Sequence, residues 1–181
     1  MTKTQKKNLF YIILFFVVLF ISSWYAYKRY ERITEEGQVY LDLFEPNPYI
    51  KEFEHSIVVS HPSDCLFTKE YLTEFPEKIV LDFFDVNNNL ADPIRLVILE
   101  EKVPIVSWED TIKLHNTGAI NKFLPEKHVV AHLARVAFND GLNEAITCIQ
   151  FFSHQMTVRV LYYLKKIDNK WQIIDYHTIR S

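Results

Sequence analysis

Glycine is scarce in this chain: of 181 residues only Gly37, Gly118 and Gly141 are glycine, and no two of them are close in sequence. A Gly-rich loop cradling phosphates, or a dinucleotide fingerprint, needs several glycines within a few residues, so both are excluded. Each glycine stands where a chain break is expected: Gly37 after a membrane-proximal segment, Gly118 after a helical stretch, Gly141 in a hairpin turn. No Asn-x-Ser/Thr acceptor occurs, which disfavours a glycosylated secretory protein and suits a bacterial envelope protein. A basic excess is missing as well. Beyond residue 27 the chain carries 17 basic against 23 acidic side chains, a net of −6. Nucleic-acid affinity comes mainly from clustered Lys and Arg, so no nucleic-acid partner is expected.

Charge is also lacking from Asn8 to Tyr27, and Leu9 to Ile21 (LFYIILFFVVLFI) is unbroken apolar. Extended through Tyr27, the run reaches the roughly 20 residues that a helix needs to cross a bilayer core of ~30 Å. Trp24, Tyr25, Tyr27, Lys28 and Arg29 crowd its far end, the composition of a membrane interface. A buried core helix rarely runs so long without a polar face, which this run lacks. The run exceeds the ~7–15 residues of a signal-peptide apolar region, and no A-x-A site follows; Ile21-x-Ser23 is the nearest substitute. We therefore read an uncleaved anchor. Lys3, Lys6 and Lys7 face Lys28, Arg29 and Arg32 across it, and the short leading segment is expected to stay cytoplasmic. The expected organisation is a cytoplasmic tail (1–8), a transmembrane helix (9–27), a charged stalk ended by Gly37 (28–37) and one extracytoplasmic α+β domain (38–181).

In that domain, residues 38–62 read as loops with one short strand at Ile57–Val59. Ser63 or Asp64 caps a predicted helix over 63–75 whose apolar face is Phe67, Tyr71, Leu72 and Phe75, and Pro76 stops it. Ile79–Val86 and Ile94–Glu100 read as β-rich runs paired in a hairpin across a polar turn. A second short helix is predicted from Ser107 to near Gly118, with Asp110 completing a capping box. Four β-rich runs close the chain, over 128–138, 144–152, 157–166 and 170–179, and their short links imply an antiparallel meander. Val158, Val160, Tyr162 and Leu164 share one face of the third run. Thr157, Arg159, Tyr163 and Lys165 lie on the other with Leu161, so one face is expected to be core and the other mostly wet. The fold class is then α+β: one or two helices, the 63–75 helix among them, packed on a mainly antiparallel sheet.

The closing stretch Tyr162–Asp175 (YYLKKIDNKWQIID) resembles the last hairpin of nuclear transport factor-like (cystatin-like) α+β domains, in which a strand, a short polar turn and a Trp-x-Ile strand recur. It is also similar to the endings of uncharacterised exported bacterial proteins, whose sheets include a segment like Ala134–Asn139 (ARVAFN). The resemblance covers the last third of the chain and implies a cone-shaped domain. The hairpin read between the helices departs from the transport-factor order and puts that fold's pocket in doubt. In layout alone, an anchor followed by such a domain resembles the inner-membrane scaffold proteins of type IV secretion systems.

No constellation carries a reaction. Ser60-His61-Pro62-Ser63-Asp64-Cys65 gathers a hydroxyl, an imidazole and a carboxylate, but sequence neighbours seldom converge as a triad, and here they suit a turn and a helix cap. His128 and His132 have helical metal-ligand spacing, yet the strand-like run they sit in would hold them about 13 Å apart. His132 is better read as a core or pocket-edge residue, and as the first candidate to line a ligand pocket. Cys65 and Cys148 either bridge in an oxidising compartment or stand as separate thiols. Trp108, Trp171, Tyr162 and Tyr163 suit packing better than ligand stacking. No catalytic residue, metal or cofactor is assigned. The expectation is a non-enzymatic, membrane-anchored domain that binds another envelope protein or a small ligand; the alternative is a small enzyme using His132 as general acid or base.

Overall fold

The computed structural model describes residues 3–44, 55–59, 72–73, 75–88, 105–106, 128–152 and 157–180. Two compact units divide between Glu35 and Glu36. The first is part of helix α1 (Lys3–Phe44), which is a single α-helix of 42 residues. From Leu9 to Ile21 every large apolar side chain of α1 is between 45% and 70% exposed, so the helix is greasy on all sides. Its length and composition allow it to cross a membrane.

Gly37 does not end this helix. Beyond it Val39, Tyr40 and Leu43 are fully buried and Phe44 nearly so, an i, i+1, i+4, i+5 stripe pressed on the sheet. A helical glycine costs about 1 kcal/mol relative to alanine. Each of those large side chains returns roughly 1.5–3 kcal/mol on burial, so packing overrides the local break. The compact domain accordingly begins at Glu36 rather than at residue 38.

The remaining elements are β1 (His55–Val59), α2 (Glu77–Asn88), β2 (Ile105–Val106), β3 (His128–Leu133), β4 (Ala137–Phe138), β5 (Glu144–Phe152), β6 (Thr157–Ile167) and β7 (Lys170–Arg180). The expected strand at Ile79–Val86 is therefore wrong: those residues lie in α2. Ile79, Val80 and Phe83 are buried while Leu81 and Asp85 are exposed, a helical period that strand alternation cannot reproduce. Pro76 starts this helix, its carbonyl accepting from Ile79 N at 3.1 Å and Val80 N at 3.2 Å. Of the predicted 63–75 helix, Leu72 and Thr73 form a tight turn and the stretch before them lies outside the described residues. So do Ile94–Glu100, the Ser107 helix and Gly118.

The strands form one sheet in the order β2-β1-β3-β5-β6-β7, with β4 paired to β5. β1 runs parallel to β2 and β3, and the other pairs are antiparallel. The closing meander matches expectation, except that its first strand breaks at residues 134–136 into β3 and β4.

Over β5 and β6 both faces of the sheet are covered, which corrects the expectation of a mostly wet second face there. On one side Val158, Val160, Tyr162, Leu164 and Trp171 join Tyr40 and Leu43 of α1. On the other, Leu161, Tyr163, Cys148 and Ile146 join Ile79, Val80 and Phe83 of α2. Leu161 is fully buried and Tyr163 only 8% exposed, because α2, misread as a strand, is the layer that covers them.

The β6–β7 turn is built from Asp168 (φ 50°) and Asn169 (φ 62°), left-handed at both positions as a type I′ hairpin requires. Asn tolerates that region and a β-branched residue does not. Asn169→Gly is expected to leave the denaturation midpoint unchanged or raise it, and Asn169→Val to lose about 1–2 kcal/mol in urea unfolding. Equal midpoints for the two variants would refute this account of the turn.

Candidate functional site

The interruption at residues 134–136 takes main-chain groups out of the sheet ladder, and buried main-chain groups need partners. Each is met. Ala134 N donates to Cys148 O at 2.9 Å. The Ala134 carbonyl accepts from Tyr40 OH, which also lies 2.9 Å from Thr147 Oγ1. Arg135 N donates to Asn87 Oδ1 at 2.7 Å, and Asn87 Nδ2 returns a bond to Arg135 O at 3.1 Å. Val136 N donates to Glu36 Oε1 at 3.0 Å, while Arg135 Nη1 reaches Glu36 Oε2 at 3.5 Å. The break is thus clamped by α1 from one face and by α2 from the other.

Carboxylate, phenol and guanidinium together are ingredients of acid–base chemistry, but this cluster is closed. Glu36 is 4% exposed, and Tyr40 and Thr147 are fully buried. Burial holds the Glu36 carboxyl above its ordinary value, offset in part by the Val136 N–H and the Arg135 charge. Burial, and then the Glu36 charge, raise the Tyr40 phenol well above its ordinary value. The arrangement is a structural clamp that holds an ionisable group out of water.

A pH dependence follows. The folded-state Glu36 binds its proton more tightly than the unfolded chain, whose ordinary value is 4.5. Its contribution to stability is therefore full below that value and is lost as pH rises through the raised folded value. Glu36→Gln keeps an acceptor for Val136 N but cannot titrate. The melting-temperature difference between this variant and the wild type should grow in the variant's favour from pH 4.5 to pH 7.5, and a flat difference would contradict the assignment. Glu36→Ala, which strands the Val136 N–H, is expected to cost about 1–3 kcal/mol throughout.

The second polar cluster lies on the α2 face, towards the end of the sheet where β5 ends and β6 begins. His132, read from sequence as a pocket-edge candidate, pairs with Gln150, and Gln150 pairs with Arg159. Paired residues share a face, so the three form one row across β3, β5 and β6, about 4.5–5.5 Å between neighbouring Cβ atoms. His177 of β7 pairs with Leu161 on the same face, diagonal to Arg159. Phe152 sets its ring 4.7 Å from that of His132 at 60°, and Phe75 lies 5.3 Å from His177 at 70°. His132, Arg159 and His177 are half-buried, in contrast to the sealed floor of Cys148 and Leu161 beside them.

Gln150 and Arg159 were not singled out from sequence. The signal was present, since two polar residues are set among apolar strand residues and the short β5–β6 link brings them opposite each other, but it is visible only once that register is known.

The other sequence candidates fall as follows. His128 shares β3 with His132, whose extended backbone separates the two by about 13 Å. Cys148 is fully buried and disulfide-bonded, while Cys65, the only other cysteine in the sequence, lies outside the described residues. The Ser60–Cys65 run and Trp108 lie outside them too. Trp171, Tyr162 and Tyr163 are packed into the two cores. Trp24, Tyr25 and Tyr27 are exposed on α1, with Lys28 Nζ 5.6 Å from the Trp24 ring centre. Comparison with protein-family models, curated proteins and solved structures found no match.

Proposed function

We propose that this chain is a single-pass membrane protein whose domain, on the extracytoplasmic side of a bacterial envelope, binds a partner protein or a small ligand and catalyses no reaction. The observation that carries the reading is the 9–21 stretch of α1, apolar on every side and exposed all round. A surface of that extent is unstable in water and at home in lipid. The interfacial aromatics and bases at 24–29 support the same placement. Support for the extracytoplasmic side comes from Cys148, since a structural disulfide persists in an oxidising compartment and is rare in the cytosol.

The layout, an anchor joined to a small α+β domain, resembles in arrangement alone that of an envelope scaffold, and the resemblance of the closing hairpin to transport-factor-like domains suits a binding role. Protease digestion of intact spheroplasts tests the topology. The reading requires that the domain be degraded from outside while a cytoplasmic marker survives. A protected domain would reverse the orientation.

A further inference from the structure

The row formed by His132, Gln150 and Arg159, with His177 beside it, is used by neither the anchor nor the strand-break clamp. Its polar groups are cationic or neutral, and among the described residues no carboxylate shares these two rows of the sheet. The Nε of Arg159 is buried and meets no hydrogen-bond acceptor among the described residues. A buried N–H of a charged group left without an acceptor is unfavourable unless something else supplies one.

We infer that this row is a binding site for a small oxyanion, a carboxylate or a phosphate group, held by the planar fork of Arg159 and flanked by the amide of Gln150 and the imidazoles of His132 and His177. Guanidinium matches such oxygens with two parallel N–H donors, and the neighbouring side chains are donors of the kind that complete such a site. The rings of Phe152 and Phe75, standing edge-on to the two imidazoles, fix their orientation and dry the rim. The buried floor of Cys148 and Leu161 gives the ion a rigid, low-dielectric base, in which a charge pair is stronger than in water.

This assignment rests on the reading of the domain as a binding module and names its ligand class. The test uses the full-length chain in neutral detergent micelles. Sodium phosphate and sodium acetate are titrated separately, with sodium chloride at matched ionic strength as control, and the melting temperature is followed. A saturable rise with phosphate or acetate above the chloride control is expected. Arg159→Gln should abolish it. Arg159→Lys, which keeps the charge but loses the fork, should weaken it about tenfold. If Arg159→Gln does not fold, Arg159→Lys and Gln150→Leu carry the comparison, each with weakened binding.

Competition of bound phosphate by a short-chain phosphatidylglycerol distinguishes a lipid headgroup from a free solute as the source of the oxyanion. No saturable response to either ion, or responses unchanged in the Arg159 and Gln150 variants, would overturn the site. That result would leave the tether and a protein partner standing, whereas loss of the tether in membrane extraction would not touch the site.

Discussion

Lysine at Leu14, Val17 and Ile21 together is expected to move the full-length chain from the carbonate-resistant membrane pellet into the soluble or degraded fraction. The three positions lie on one side of α1 at i, i+3 and i+7, and each is about half exposed. On an insertion scale a central lysine costs about 2.5–3.5 kcal/mol, so three cost roughly 8–10 kcal/mol. The thirteen apolar residues of the run contribute only about 4–8 kcal/mol on the same scale, so the sign of insertion reverses. Alanine at the same positions should leave the chain in the pellet. If the wild-type chain itself came off in alkaline carbonate, the span would be wrong. If the intact mass of the membrane fraction lacked residues 1–23, the segment would be a cleaved leader.

Leu161→Ala is expected to destabilise the domain by about 2–5 kcal/mol, the range for truncating a fully buried leucine. For a unit of this size that corresponds to a fall in Tm of about 5–15 °C. The position decides between two pictures of the sheet. Were the second face wet, Leu161 would be a surface residue and its truncation would cost a few tenths of a kcal/mol. It is instead fully buried among Ile79, Phe83 and Cys148. Ile173→Ala on β7, where the side chain is 37% exposed, is the internal control and should cost under about 1 kcal/mol. Similar losses for the two variants would mean that α2 does not seal that face.

The contrast between these variants shows where the sequence was informative. The meander was legible to within a residue or so, because runs of β-favouring residues joined by links of a few residues leave little freedom of register. The long apolar helix was legible because an uncharged run of that length has few other readings. The α2 segment was not, since Ile79, Val80, Phe83 and Val86 favour strands by residue type and helix by spacing, and packing on the sheet decides for the spacing. Gly37 misled for a related reason: a local stop signal worth about 1 kcal/mol was outweighed by tertiary contacts that only the folded sheet provides. Of the candidate site, His132 was visible as a polar residue in an apolar strand. Arg159 was assigned to a solvent-facing side, and its place beside Gln150 depends on the register of the neighbouring strand.

Because α1 runs without interruption from its apolar stretch to Phe44, its last turns have a second duty. Glu36, Val39, Tyr40 and Leu43 are part of the core of the domain, although they are carried on the helix that begins with the apolar stretch. Proteolytic shedding is therefore sensitive to where the scissile bond falls. A cut between Lys28 and Glu35 releases a domain with its interior whole, while a cut two turns later strips one side from the sheet and sheds a fragment that unfolds.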